Sequence, residues 1–116
     1  MTLAAGRLRY RFRLVEEAVT QDPETGAIKS SWRTVVEHLP GEYVPMSARE
    51  FVESGATQAE VTGRITIRYR DGVRPAMRLI DERSGMVHGI VGVLPDPKSG
   101  REYLTLPVKS GVGNGG

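Results

Sequence analysis

The chain has 116 residues, no cysteine, and a formal net charge of +2 from 16 basic and 14 acidic side chains. Its length suits one domain with one core, and the lack of cysteine excludes disulfide frameworks, thiolate nucleophiles and cysteine-ligated zinc or iron–sulfur centres. Residues 1–7 hold no sustained apolar stretch and no apolar run nears the roughly 18 residues of a spanning helix, so the chain reads as soluble, with no membrane partner.

In the first predicted element, Leu8, Tyr10, Phe12 and Leu14 alternate with Arg7, Arg9, Arg11 and Arg13. Period two marks a strand with one buried face and one solvated or partner-facing face. The arginine side reads either as a charged outer face that blocks edge-to-edge aggregation, or as a surface for DNA or a neighbouring subunit. Gln21-Asp22-Pro23-Glu24-Thr25-Gly26 follows. Pro presets φ at the second turn position, Asp bonds the following backbone and Gly supplies positive φ, so a hairpin or protruding loop is expected.

Residues 28–37 form the second predicted strand, with Trp32 expected in the core because few other large side chains are present to fill it. Tyr43 and Val44 lie between the breakers Pro40-Gly41 and Pro45 and predict a separate short strand over residues 39–46. Ser47-Ala48-Arg49-Glu50 matches a capping box, which opens a short helix expected at about residues 48–58. Alternation returns with Ile65, Ile67 and Tyr69 on one face and Arg64, Thr66, Arg68 and Arg70 on the other. Asp71-Gly72 turns, and residues 77–81 and 86–94 read as a hairpin about a tight turn at 82–85. Pro95-Asp96-Pro97-Lys98-Ser99-Gly100 reads as another loop, and residues 103–108 as a last strand with Leu104 and Leu106 facing inward.

These elements predict a mainly β fold: a small barrel or sandwich of six or seven strands with one short helix. Residues 1–109 are expected to form one domain and residues 110–116 a flexible glycine-rich tail. Seven of the 13 arginines fall in the two basic stretches, leaving nine basic against 14 acidic residues elsewhere. Separate positive and negative regions suit head-to-tail self-association or contact with a polyanion.

Catalytic chemistry has little to draw on. His38 and His88 are the only imidazoles, and both read as ordinary surface or sheet residues without metal-ligand spacing. Asp81 and Glu82 are adjacent, so a strand would point them to opposite faces. No phosphate-binding glycine motif is present. No catalytic residue, metal or cofactor is assigned, and the chain reads as a non-enzyme. An OB-like nucleic-acid-binding module is the rival reading. Against it, Tyr10, Phe12 and Tyr69 alternate with the arginines, whereas a stacking platform needs aromatics and positive charge on one face.

The order of these features resembles the phage head-tail joining proteins, which include head-closure or stopper subunits. The resemblance is carried by Gly6-Arg7-Leu8-Arg9-Tyr10-Arg11, by Asp22-Pro23-Glu24-Thr25-Gly26 followed by Trp32, and by Ser47-Ala48-Arg49-Glu50-Phe51. It continues through Glu60-Val61-Thr62-Gly63-Arg64-Ile65-Thr66-Ile67-Arg68-Tyr69-Arg70 and Met77-Arg78-Leu79, and spans residues 6–106. Ala48 stands where the family often has glycine, and Leu39-Pro40-Gly41-Glu42 replaces a common tryptophan-alanine pair; both departures bear on local loop shape.

The resemblance implies a structural virion protein, a β-barrel with a helix that assembles as a six- or twelve-fold homo-oligomeric ring. Portal and adaptor proteins would lie on its head side, tail proteins on the other, and duplex DNA inside. The implied location is the neck of a phage, prophage or gene-transfer particle, after synthesis in the bacterial cytoplasm. Arg7, Arg9, Arg11, Arg13, Arg64, Arg68 and Arg70 become candidate DNA-channel or subunit-interface residues. The loops at 21–27 and 95–100, with Asp22, Pro23, Glu24, Asp96 and Lys98, become candidate partner contacts. A tail-terminator or tail-completion ring is the alternative within the same class.

Overall fold

The computed structural model describes residues 8–47 and 61–111. They form seven strands: β1 (Tyr10–Gln21), β2 (Ile28–Pro45), β3 (Gly63–Arg68), β4 (Arg78–Asp81), β5 (Val87–Ile90), β6 (Leu94–Pro95) and β7 (Tyr103–Ser110). The strands pair antiparallel in one sheet of order β3-β2-β1-β4-β5-β7-β6. A further pairing of β3 with β7, from Gly63↔Val108 to Arg68↔Tyr103, joins the two sides into a barrel-like ring. The mainly β class expected from the sequence is observed. The predicted helix over residues 48–58 lies outside the described residues.

Period-two patterning builds the interior. Ile65 and Ile67 of β3, Leu104, Leu106 and Val108 of β7, and Phe12 and Leu14 of β1 all turn inward. Leu39, Met77, Leu79 and Ile90 complete the core. Each such side chain contributes roughly 1.5–3 kcal/mol by leaving water, enough to hold a ring with short strands such as β4 and β5.

The β1–β2 hairpin departs from expectation. Two strands separated by Pro40-Gly41 were predicted, yet β2 runs through that dipeptide for 18 residues. Gly41 sits where β2 crosses closest to the core: a Cβ there would lie 2.8 Å from the Phe12 ring and 3.2 Å from Ile67. Just before it, the pairing slips twice, from Phe12↔Leu39 to Leu14↔Val36 and then to Val15↔Thr34. Such bulges bend a strand and sharpen its twist. His38, in the first bulge, has φ 56°, a costly conformation for a non-glycine residue that persists only where its surroundings enforce it. Glu82 does so by accepting the His38 backbone N–H at 2.9 Å.

Past Val15, the last β1 residue paired with β4, β1 pairs with β2 alone. Residues 16–21 and 28–33 therefore project as a two-stranded arm, about 20 Å long at ~3.4 Å per residue. Trp32 lies on this arm. It is half-buried rather than part of the core, with the Arg78 guanidinium stacked 4.2 Å from its ring centroid. Tyr69, expected to face inward, follows the end of β3 and is exposed, its hydroxyl donating to Asp71 at 2.7 Å.

The smaller elements fall close to prediction. The turn after β4 is closed by the Asp81 carboxylate, which accepts the Arg83 N–H at 2.9 Å. The strand predicted over 86–94 divides into β5 and the two-residue β6, and β7 runs past Val108 to Ser110. Because the Phe12 ring is fully buried and has nowhere to retreat, Gly41→Ala is expected to destabilise the fold by about 1–3 kcal/mol, measured as a lowered urea midpoint with unchanged slope.

Candidate functional site

The register brings the two arginine groups onto one surface. Arg11 pairs with Pro40 on one side of β2, while Ile67 pairs with Gly41 on the other, which sets Arg68 beside Pro40. Further along, Val44 pairs with Arg64 and Glu42 with Thr66. The outer positions of β1, β2 and β3 thus form a continuous face carrying Arg9, Arg11, Arg64 and Arg68, all exposed. The Arg11 guanidinium donates to the carbonyls of Leu8 at 2.7 Å and Tyr10 at 3.1 Å, which holds the chain entering β1. Arg9 and Arg11 also line a groove of about 700 Å³ with Asp81, Glu82 and Arg83.

The other predicted arginines behave differently. Arg13 pairs with Ile80, is half-buried, and has its Nε enclosed without a hydrogen-bond partner; the Nε of Arg70 is in the same state. Arg70 lies beyond the end of β3, where it lines a groove of about 330 Å³ together with Pro95 and Gly100 of the second predicted contact loop. Arg7 lies outside the described residues. Tyr10 stacks on Phe12 at 5.7 Å between ring centroids, and Tyr43 meets it edge-on. Tyr43 and Phe12 serve the interior, while Tyr10 is exposed at its edge and lines the groove beside Arg9 and Arg11.

The first predicted contact loop is the tip of the arm. The Asp22 carboxylate accepts the N–H groups of Glu24 at 2.8 Å and Thr25 at 3.4 Å, which also lowers its pKa. Gly26 takes φ 73° to close the turn, as its position in the sequence predicts. Pro23 and Glu24 are left exposed. Antiparallel pairing sorts the arm into two faces. Glu17↔Trp32, Val19↔Ser30 and Gln21↔Ile28 share one, where Val19 is 62% and Ile28 72% exposed. On the other face Glu16 bridges Arg33 and Arg74, the latter at 2.6 Å, and these partners hold its carboxyl below the ordinary range.

The second loop is organised from within by Asp96. Its carboxylate is 6% exposed and accepts the N–H groups of Glu102 at 2.8 Å, Ser99 at 2.9 Å and Lys98 at 3.1 Å. Those amides, Glu102 foremost, drive its pKa well below the usual carboxylate range. Lys98 and its neighbours, not the Asp96 carboxylate, form the accessible side of this loop.

Sequence reasoning missed a buried polar cluster at one end of the interior. His88 is 4% exposed, its Nδ1 2.7 Å from the Ser110 Oγ, which also lies 3.3 Å from the Tyr43 hydroxyl. The Phe12 ring meets His88 edge-on at 6.0 Å. The signal was present: His88 and Ile90 share the inward parity of β5.

Among the described residues, no group of three or more His, Asp or Glu side chains is placed to hold a metal ion. No helix among them is long and apolar enough to cross a membrane. The described surface offers charged and apolar faces on a rigid ring. The model of the phage head completion protein family matches residues 3–111. The chain belongs to that family. No curated protein matches it. Among solved structures it is similar to protein SF1141 from Shigella flexneri 2a, determined in solution, at 31% identity with a TM-score of 0.77; the alignment covers 97% of this chain and 100% of that one. Membership of the head completion family makes the protein a structural component of a phage virion.

In this head completion protein the two histidines sit in opposite environments. The Glu82 carboxylate, 2.8 Å from the His38 Nδ1, raises the His38 pKa above its ordinary 6.5, and His38 in turn lowers Glu82 below 4.5. His38 therefore adds stability in full below pH 6.5 and loses it as pH rises through its folded value. Glu82 adds stability above pH 4.5 and loses it as pH falls, so the pair is strongest between those limits. Burial lowers the His88 pKa, so its contribution is present above pH 6.5 and is lost on acidification. An imidazole NMR titration is expected to place His38 above and His88 below pH 6.5, and Glu82→Gln to return His38 toward 6.5 while leaving His88 unmoved.

Proposed function

We propose that the chain is a ring-forming connector subunit at the head-tail junction. It closes the filled head, joins the portal-adaptor complex to the tail, and surrounds the DNA channel in six or twelve copies. The observation that carries this reading is the head completion family match over almost the whole chain. The unlike surfaces of the subunit support it: a positive face on β1 and β3, and an arm with mostly acidic charge. Unlike patches on one molecule favour heterologous contacts, which close into rings when the rotation allows.

On this reading residues 1–109 act as one assembly domain. Arginines that face the channel neutralise phosphates without reading bases. The two loops, with Pro23, Glu24 and Lys98 outermost, meet the portal-adaptor side and the tail side. The protein works by assembly, without turnover.

Imaging the native particle by cryo-electron microscopy at side-chain resolution tests the proposal. A closed ring of this chain between adaptor and tail is expected. Its presence at the tail end of an unjoined tube would identify a tail terminator instead, and its absence from the neck and the tail would refute the connector role.

A further inference from the structure

We infer that the arm of one copy docks, with its Trp32–Val19–Ile28 face inward, on the β2–β3 outer face of the next copy around Val44, Arg64 and Arg68. The inference rests on the ring reading above and specifies which surfaces make the ring.

The arm is incomplete by itself. A two-stranded ribbon is marginally stable in water unless a further strand or a packed face supports it, and this ribbon loses β4 as a neighbour after Val15. Arg78 covers Trp32 at the root, but Val19 and Ile28, further out on the same face, remain uncovered. Paired apolar exposure of this kind marks a contact surface. Glu17 lies on that face, and Asp22 and Glu24 stand at its tip.

The proposed receiving face has the complementary character. Val44 is 39% exposed and pairs directly with Arg64, with Arg68 further along β3, Pro107 and Tyr103 opposite on β7, and the half-buried Glu42 between the two arginines on β2, leaving a net positive patch. An apolar patch with arginines beside it fits an apolar patch with carboxylates beside it. DNA would account for the arginines but would leave Val19 and Ile28 uncovered.

Position makes the contact intermolecular. Ser30, the partner of Val19, and Val44 both belong to β2, about 46 Å apart along the strand at ~3.3 Å per residue. The arm cannot fold back onto its own β2–β3 face. Donor and acceptor patches at opposite ends of one strand give a head-to-tail contact, the type that propagates around a ring.

The absence of native cysteine allows a direct test. The full chain carrying Val19→Cys and Val44→Cys is supplied to particle assembly, treated with a short bismaleimide and resolved on a denaturing gel. A ladder of covalent multimers is expected. Glu17→Arg with Glu24→Arg, or Arg64→Glu with Arg68→Glu, is expected to reduce the ladder about tenfold or more, and the four changes combined to restore it. All four sites are exposed, and thermal melting of each variant checks that it folds. A ring seen by microscopy without a ladder overturns the arm contact and leaves the ring reading standing; no ring overturns both. Loss on arginine reversal with no rescue by the combined variant assigns that face to DNA and also overturns the contact.

Discussion

The approach of Gly41 to the Phe12 ring sets the geometry of much of the molecule. Phe12 has no exposed surface, and β2 can cross β1 at contact distance only because its residue there carries no side chain. With that crossing in place, Leu39 and Ile67 close over the ring's neighbours, and Tyr10, Tyr43 and His88 arrange around it as an aromatic end wall. The two bulges that follow turn the hairpin out of the barrel-like body. Interior packing thus decides where the arm leaves and which way its apolar face points.

The same crossing shows why part of the fold was legible in the sequence and part was not. Strands whose two faces meet different environments, such as β3 and β7, announce themselves by period two, and Ile65, Ile67, Leu104 and Leu106 are buried as the alternation requires. Pro40-Gly41 read as a break because local rules see a missing donor and a flexible backbone. A ring from a distant residue made glycine necessary there instead. Trp32 was assigned to the core on size alone, but its place on an arm depends on where β4 stops pairing, which no local pattern encodes. Tyr69 was misplaced because β3 ends one residue before it.

The candidate surfaces were legible in composition but not in arrangement. Clustering of arginine was visible, yet the joining of Arg11 and Arg68 across Pro40 needed the β1-β2-β3 order and its register. The acidic loops looked alike in sequence and differ in space: Asp22 caps the exposed tip of an arm, while Asp96 is drawn inward by three amides. Both carboxylates are thus spent on their own turns.

The β3–β7 register also bears on when the subunit becomes competent during synthesis. Arg64 and Arg68 are held in place by pairing with Pro107 and Tyr103, near the end of the described chain, whereas the β1–β2 hairpin is local and has all its pairing partners once residue 45 has left the ribosome. The positive face is therefore completed after all the residues of the arm have been made. A nascent or truncated chain without β7 presents an arm but no finished face to receive one. On the proposed ring and arm contact, such a chain could cap a growing ring but not extend it, and only molecules that have sealed the β3–β7 seam would sit at every position around the circle.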